Sequence, residues 1–314
     1  MHPLIVIVGP TASGKSDLAL SLAERFNGEI VNYDSIQVFR GFDIGSAKPS
    51  LEERRRIPHH MIDIREPADL FTAGDYQREA RAVLDDIRRR QRIPVLVGGT
   101  GLYLRALTEG LFAGPTRSEH LRDRFGTIVE QRGVEYLHRL LKRLDPAASD
   151  RIAVRDKPKI IRALEVRLET GKPLTEHLQV EPRRPLQGFT ICTAGLNPSR
   201  EECYRRIDDR VARMFDNGLV EEVRGLLARG VPRTAKPFGA LGYRHVLANL
   251  DNPCSWEDTI RVIQRDTRRY AKRQWTWFRR DTNTTWFDGP GSNKSIQEQV
   301  HRRVQLLVGE FYGV

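Results

Sequence analysis

The sequence predicts an α/β protein with a P-loop parallel-sheet core flanked by helices and an all-helical insertion domain. Three observations support this fold class. Short apolar runs, followed by glycine-rich turns and amphipathic helices, occupy the first hundred residues. Residues 116–187 are dense in charge and contain no convincing strand, and a strand-like segment returns at residue 188. We therefore expect a core built from residues 1–115 and 188–314, with a helical insertion domain at 116–187.

The first predicted strand, residues 4–8, runs into the segment GPTASGKS at residues 9–16. This segment matches the phosphate-binding pattern G-x-x-x-x-G-K-[ST] at every required position. Glycines let the backbone turn its N–H groups inward, and the following helix adds its positive N-terminal dipole. We expect the loop to bind a polyphosphate, with Lys15 on the outer oxygens and the Ser16 hydroxyl on Mg²⁺ or a phosphate oxygen. A chance glycine-rich turn is the alternative, although strand, loop and helix all occur where the motif requires them.

The second predicted strand, residues 29–32, ends in the polar segment 33–37, which contains Asp34. Open α/β sheets place their chemistry at such strand ends, so Asp34 is the candidate catalytic carboxylate. Its alternative role is to cap the following turn, since Asp-Ser after a strand is also favourable turn chemistry. The next strand, residues 93–97, ends in Gly-Gly-Thr, where an NTPase would carry a magnesium-binding Asp. Asp63 is only a weak substitute for that residue.

Helix signals account for most of the remaining chain. Thr72 and Asp75 form a capping box at the start of a helix that extends to residue 91, and Ser199 and Glu202 form another. Further helices are predicted at residues 16–26, 119–131, 134–144, 157–170, 199–216, 219–229, 239–250, 256–280 and 295–311. The adjacent His59 and His60 point to opposite faces of an extended segment and lack a ligand spacing, which argues against a metal site.

Net charge, cysteine spacing and the length of apolar runs indicate which partners and which class of protein are expected. The formal net charge of +11 favours a polyanionic partner. Three cysteines, Cys192, Cys203 and Cys254, are widely spaced and without a C-x-x-C motif, which indicates neither a disulfide framework nor a zinc site. No run approaches 18 apolar residues, and the N-terminus leads directly into the first strand. We therefore expect no membrane span and no signal peptide, and a cytoplasmic monomer.

The long helix at residues 256–280 carries a basic stripe, which we define as Arg261, Arg265, Arg268 and Lys272. Asp266 is the single acid between residues 261 and 280, and the stretch ends in WTWFRR. Basic residues interleaved with aromatic ones suit phosphates and unstacked bases, as in single-stranded RNA loops. A solvated helix face with core aromatics is an equally acceptable interpretation.

Six blocks of sequence resemble the tRNA dimethylallyltransferases, also called tRNA isopentenyltransferases. They are GPTASGKS (9–16), DSIQVFRGFDIGSAKP (34–49), IPHHMID (57–63), GGTGLYLRAL (98–107), IRALEV (161–166) and YAKRQWTWFRR (270–280). The resemblance covers nearly the whole chain in order. It implies transfer of a dimethylallyl group from dimethylallyl diphosphate to N6 of the adenine just 3′ of a tRNA anticodon, at position 37.

The resemblance also implies roles for individual residues. Asp34 would accept the N6 proton, Lys15 and Arg210 would act in the active site, and Mg²⁺, held through Ser16, would be the cofactor. The leaving diphosphate would be held by Gly9, Pro10, Thr11, Ala12, Ser13, Gly14, Lys15 and Ser16. The tRNA anticodon stem-loop would be contacted by Asp34, Ser35, Ile36, Gln37, Thr100, Arg122, Lys159, Arg162, Lys272, Arg273, Gln274 and Arg279. The adenine would have to leave its stack to reach the loop.

Some positions depart from the family pattern. Many members have Gln-Arg at Pro158-Lys159, Thr at Ser46, Tyr at Phe39 and Glu at His245. The chain also lacks the Cys/His set of the C-terminal zinc finger found in members of eukaryotic type. Two other functions are considered: an adenylate isopentenyltransferase, which acts on free nucleotides, and a P-loop nucleotide kinase or RNA-binding ATPase. The helical insertion and basic stripe argue against the first, and the missing Asp argues against the second.

Overall fold

The computed structural model describes residues 1–112, 114–180 and 183–312 and divides into two compact units. Unit 1 comprises Met1–Thr108 and Leu186–Val314, and unit 2 is Glu109–Pro185. In unit 1 the elements are β1 His2–Val8, α1 Lys15–Arg25, β2 Gly28–Asn32, α2 Leu51–Arg56, β3 His59–His60, α3 Ala73–Arg89, β4 Ile93–Val97, α4 Gly101–Thr108, β5 Phe189–Leu196, α10 Arg200–Asp216, α11 Leu219–Ala228, a 3₁₀ turn Lys236–Gly239, α12 Tyr243–Asp251, α13 Trp256–Phe278, β6 Thr284–Phe287 and α14 Lys294–Tyr312. Unit 2 contains α5 Glu119–Arg132, α6 Val134–Leu144, α7 Pro146–Arg151, α8 Lys157–Thr170 and α9 Leu174–Val180.

The six strands form one parallel sheet in the order β3-β2-β4-β1-β5-β6. The central strand β1 is buried along its whole length, and its side chains alternate between two cores. Leu4 and Val6 belong to the core that includes α3 and α4, whereas Ile5 and Ile7 pack with α1 and α14. Because all strands run in one direction, the carboxyl ends of β1, β2 and β4 meet at one edge, where such sheets carry their chemistry.

Unit 2 is held together by a small core of its own. Phe125 on α5, Leu137 and Leu141 on α6, and Ile160 and Leu164 on α8 are buried against one another. Asp145 caps α7 by accepting from the Ala148 N–H, and α8 begins at the Asp156 cap and ends at Gly171.

The predicted fold class is confirmed, and the strongly periodic helices begin and end within a few residues of their predicted bounds. Both hydrogen bonds of the predicted capping box are present: the Thr72 side chain accepts the Asp75 N–H, and the Asp75 side chain accepts the Thr72 N–H. The edge strand β6 and the short helices α2, α4, α7 and α9 were not predicted. The division of the chain into domains with a helical insertion at 116–187 stays a prediction. Within the described ranges, no helix is both long enough and apolar enough to cross a bilayer.

Candidate active site

The glycine-rich loop between β1 and α1 presents unpaired backbone N–H groups to a cavity. Gly14 has φ 79°, and a Cβ there would lie 2.8 Å from the Ser292 nitrogen, so no larger residue fits without a shift. The N–H groups of Gly14, Lys15 and Ser16 donate to no acceptor among the described residues. Since they lie at the N-terminus of α1, where the helix dipole is positive, they form an anion-binding arrangement.

Lys15 is buried beneath this loop. Its Nζ donates to the carbonyl oxygens of Gly9 at 3.1 Å and Pro10 at 2.6 Å. Burial, together with the nearby Arg210 guanidinium, lowers the pKa of Lys15 to about 7, against an opposing effect of Asp34. An anion bound beside the ammonium group would raise this pKa again.

Asp34 uses one carboxylate oxygen to form the turn after β2. Its Oδ1 accepts from the N–H groups of Ile36 at 2.9 Å and Gln37 at 3.4 Å. Its Oδ2 accepts from no described residue, and a Cβ placed on Gly99 would lie 3.1 Å from it. The turn role and the chemical role considered from the sequence are thus compatible, because one oxygen orients the group and the other can accept a proton.

Helix α10 contacts the loop from the side with two arginines. Arg210 Nη1 donates to Thr11 Oγ1 at 3.3 Å, and Arg206 Nε donates to the Ala12 carbonyl at 2.8 Å. Burial lowers the pKa of Arg210, although Asp34 opposes the shift. The guanidinium of Arg210 therefore lies near the loop, Lys15 and Asp34, and its role in the active site stays a prediction.

Helix α13 connects the loop to the end of β4. Gln274 Oε1 accepts the Thr11 N–H at 2.7 Å, and Gln274 Nε2 donates to the Gly99 carbonyl at 2.9 Å. The Tyr270 hydroxyl donates to the same carbonyl at 3.0 Å. Gln274 was predicted as an RNA contact, but its side chain is buried and both ends of its amide are bound to backbone.

Two neighbouring cavities lie beside the glycine-rich loop and Asp34. The first, of 540 Å³, contains the loop, and the second, of 440 Å³, has apolar walls that include Val211, Met214 and Ile263. Both are lined by Thr11, Asp34, Ser46, Arg210 and Tyr270. A separate cavity of 870 Å³, between α10 and the C-terminal part of α13, shares no lining residue with them. The glycine-rich loop, Asp34 and Arg210 therefore line the paired cavities and not the separate one.

The other predicted RNA contacts of the 34–37 segment lie beside these cavities. The Ser35 N–H donates to Thr100 Oγ1 at 3.0 Å, and the Thr100 hydroxyl donates to Ser35 Oγ at 3.1 Å. Gln37 Nε2 donates to the carbonyls of Ser46 at 3.0 Å and Ala47 at 3.2 Å, and Ile36 lines the second cavity.

Arg122 and Arg162 belong to unit 2 and share one buried carboxylate. Glu165 accepts from Arg122 Nε at 3.0 Å and Nη2 at 3.1 Å, and from Arg162 Nη1 at 2.7 Å. Burial alone would raise the pKa of Glu165, but the hydrogen bonds from both arginines outweigh it and lower the pKa. Lys159 is exposed near the start of α8 and pairs with Asp156.

Three of the four residues of the basic stripe on α13 pair with acids, and one of these acids, Asp266, is shared with Arg244 and Arg269. Arg261 pairs with Asp258, Arg265 with Asp266, and Arg268 with Asp208 of α10. Lys272 and Arg273 are exposed and have no acidic partner among the described residues. Arg279 donates to Asn197 Oδ1 at 3.0 Å. Lys272, at the C-terminal end of the stripe, is therefore its one member without an acidic partner among the described residues.

Asp63 is committed to structure and does not replace a magnesium-binding Asp. It pairs with Lys48 at 2.6 Å and with Arg54 at 2.6 Å. His60 is bound to Glu29 at 2.7 Å, and His59 to the Ile57 carbonyl at 2.7 Å. Across the described ranges, no group of three or more His, Cys, Asp or Glu side chains could hold a metal ion.

The contact of Tyr270 with the Gly99 carbonyl and the contact of Arg206 with the loop were not predicted from the sequence. Tyr270 precedes Gln274 by one helical turn, so their common face was readable from the sequence. No sequence signal indicates that this face meets the glycine-rich loop. The Arg206 contact likewise depends on how α10 packs in the folded chain.

The chain matches a family model described as IPP transferase over residues 37–281. It is 50% identical to a tRNA dimethylallyltransferase of Solibacter usitatus, over 98% of this chain and 100% of that protein. It is 49% identical to the tRNA dimethylallyltransferase of Geobacter metallireducens, over 95% and 96% of the two chains.

Solved structures give the same result. The full-length tRNA isopentenylpyrophosphate transferase of Bacillus halodurans is similar with a TM-score of 0.73 and 37% identity, over 99% of this chain and 98% of that one. A eukaryotic dimethylallyltransferase acting on tRNA is similar with a TM-score of 0.81 and 26% identity, over 100% and 80% of the chains. The resemblance predicted from the six sequence blocks is confirmed: the chain belongs to the IPP transferase family, that of the tRNA dimethylallyltransferases.

Proposed function

We propose that this enzyme transfers a dimethylallyl group from dimethylallyl diphosphate to N6 of the adenosine at tRNA position 37, next to the anticodon. The observation that carries the proposal is the free carboxylate oxygen of Asp34 beside an anion cradle. That cradle combines the unpaired N–H groups at residues 14–16 with the cations Lys15 and Arg210. A proton acceptor and a diphosphate site side by side are what this transfer needs.

In the proposed reaction, the N6 amine attacks the allylic carbon that carries the diphosphate. The new C–N bond forms as the C–O bond breaks, and the amine proton passes to Asp34 Oδ2. The products are N6-isopentenyladenosine and diphosphate. Negative charge develops on the leaving oxygen, and the loop N–H groups, Lys15 and Arg210 stabilise it in a partly buried site.

The residues of the loop fit a Mg²⁺ ion that arrives with the diphosphate. Ser16 is exposed in the first cavity at the start of α1, and a hydroxyl is an oxygen ligand of the kind Mg²⁺ prefers. Since Mg²⁺ retains several waters and commonly takes phosphate oxygens, a single protein ligand suffices. The ion would neutralise charge on the diphosphate. A cytoplasmic location and a monomeric state also remain part of this proposal.

The second cavity suits the extruded adenine. Its apolar walls match a flat base, and it opens on Asp34. We place RNA contacts along the segment 34–37 and at Thr100 in unit 1, at the exposed end of the stripe, and on unit 2 at Arg122, Lys159 and Arg162. Arg122 and Arg162 are suited to phosphate because Glu165 fixes their planes and leaves the trio with a net positive charge.

The two alternative functions are less well supported. A hydrolytic ATPase needs a carboxylate to hold hydrated magnesium, and the available Asp63 is bound by Lys48 and Arg54. An adenylate isopentenyltransferase would have no use for the cluster of arginines in unit 2.

The test is an acceptor competition with purified protein, Mg²⁺ and labelled dimethylallyl diphosphate. We expect label in tRNA and not in AMP. Label in AMP alone would favour the nucleotide enzyme, and tRNA-stimulated release of phosphate from ATP would favour the ATPase.

A further inference from the structure

We infer that Gln274 is a positioning residue for the diphosphate loop and makes no contact with RNA. The inference deepens the proposed function and rests on it. Gln274 belongs to a helix whose exposed residues Lys272 and Arg273 suit RNA, yet its own side chain is only 5% exposed. Membership of a basic segment therefore does not decide its role.

The two ends of the Gln274 amide are chemically matched to their partners. Oε1 accepts the Thr11 N–H at 2.7 Å, and Nε2 donates to the Gly99 carbonyl at 2.9 Å. A backbone N–H can bind only the oxygen and a carbonyl only the NH₂ group, so these partners fix the orientation of the amide. Rotating the amide by 180° to meet an RNA group would break both bonds in a buried site.

The Gln274 amide links the diphosphate loop to Gly99, which lies next to Asp34. Thr11 lies in the loop, and its hydroxyl oxygen accepts from Arg210 Nη1 at 3.3 Å. Gly99 is so close to Asp34 that a Cβ there would lie 3.1 Å from Asp34 Oδ2 and 3.0 Å from Gln274 Nε2. Gln274 therefore sets the position of the leaving-group site relative to the proton acceptor, and Tyr270 supports it through the same carbonyl.

The bond to Gln274 also occupies one N–H group of the loop. Gln274 accepts from the Thr11 N–H, and the Ser13 N–H donates to the Pro10 carbonyl at 3.3 Å. The N–H groups at residues 12 and 14–16 have no acceptor among the described residues and remain available to an anion. Loss of the glutamine would release the Thr11 N–H and the part of the loop that carries it.

The test separates donor binding from RNA binding. Gln274→Met preserves the side-chain length and removes both hydrogen bonds. We expect weaker binding of inorganic pyrophosphate with Mg²⁺, by about tenfold, and turnover lower by roughly 10- to 100-fold, because small misplacements of reacting groups are costly. Affinity for an anticodon stem-loop should stay within about twofold of the original protein, since no RNA contact is lost.

Lys272→Ala is the matched control, since it lies half a turn away on the exposed face. It should weaken stem-loop binding and leave pyrophosphate binding unchanged. If Gln274→Met behaves like this control, the inference is wrong. Both measurements are of binding, so they remain readable even if the wild-type protein transfers nothing, which would defeat the proposed function instead.

A second variant, Gln274→Glu, tests the hydrogen bonds themselves. The introduced carboxyl faces Asp34 and Tyr270, with Lys15 and Arg210 nearby. When ionised it cannot donate to the Gly99 carbonyl, whereas the protonated form can serve both partners. At about pH 8, where the introduced carboxyl is ionised, Gln274→Glu should therefore bind pyrophosphate more weakly than the original protein. Equal pyrophosphate affinity of the two proteins overturns the inference, even if Gln274→Met does not fold.

Discussion

Asp34 has one carboxylate oxygen in a structural role and leaves the other available for chemistry. Its Oδ1 is committed to the N–H groups of the following turn, which fixes the carboxylate plane, while Oδ2 stays free. A general base needs such a fixed position before its proton affinity matters. The choice of substitution therefore decides what a mutant tests.

Asp34→Asn should lower turnover by roughly two to four orders of magnitude, since the amide oxygen can keep the turn but cannot take the N6 proton. Binding of pyrophosphate and of stem-loop RNA should change little. The matched control is Asp209→Asn, another carboxylate that lines the first cavity. Near-original turnover in Asp34→Asn, measured with saturating tRNA, would remove Asp34 from the mechanism.

Lys15 predicts a pH dependence of donor binding. Its pKa in the free protein is about 7, and a bound diphosphate raises it, so a proton is taken up on binding. By linkage, affinity must fall as pH rises above about 7, by up to about tenfold per unit. Calorimetry of pyrophosphate binding in buffers of different ionisation enthalpy measures the uptake directly. Lys15→Met should bind pyrophosphate weakly and lack the proton uptake that Lys15 contributes. Equal proton uptake by the two proteins would show that Lys15 is not the group that takes up the proton.

At the scale of elements, α13 carries two different surfaces. Its buried face joins the glycine-rich loop to β4 through Gln274 and Tyr270, and its exposed face ends in Lys272 and Arg273. The sequence showed the basic stripe but could not show that Asp208 of α10 neutralises Arg268. A change at Arg268 would also disturb the packing of α10 on α13, so it is a poor probe of RNA binding.

The double change Lys272→Ala with Arg273→Ala should weaken anticodon stem-loop binding. Each lost phosphate contact reduces the dependence of log affinity on log salt, so the slope should fall by roughly one to two units. Turnover of Lys272→Ala alone at saturating RNA should persist, whereas Arg273 also lines the second cavity. An unchanged slope across a salt series would show that this end of α13 is only a solvated surface.

In unit 2, Glu165 joins α8 to α5 and to the chain preceding α5. Besides the two arginines, it accepts the Ser118 N–H at 2.7 Å, and it is fully buried. Glu165→Ala leaves both guanidinium groups without their counter-charge and should cost about 3–5 kcal/mol of stability. Denaturant unfolding measures the loss.

The exposed Glu169→Ala on the same helix is the control for this change. The pKa of Glu165 is lower in the folded than in the unfolded protein. The stabilisation of the fold by ionised Glu165 is therefore fully present above the unfolded-state pKa and is lost as the pH falls through the folded-state pKa. Equal effects of the two substitutions would contradict the account.

Local sequence signals predicted the parts of this molecule that depend on local chemistry. The loop motif, the Thr72 cap and the helix periods are of this kind, and so is the position of Asp34 at a strand end. The edge strand β6 was not predicted because its four residues are too few to show a periodic pattern. They form a strand only by pairing with β5. The contacts of Gln274 and Arg206 with the loop were not predicted because they too depend on tertiary packing. Their partners are 263 and 194 residues away in the chain.

At the scale of the whole molecule, a parallel sheet brings the ends of β1, β2 and β4 together and places an anion cradle beside a free carboxylate. The central claim is that this edge alkylates one adenine of tRNA. The most direct measurement uses two transcripts of one tRNA that differ only in having A or G at position 37, incubated with dimethylallyl diphosphate, Mg²⁺ and enzyme. We predict that mass spectrometry of the digested RNA finds N6-isopentenyladenosine only with A37. Equal modification of both transcripts, or of neither, would contradict the account.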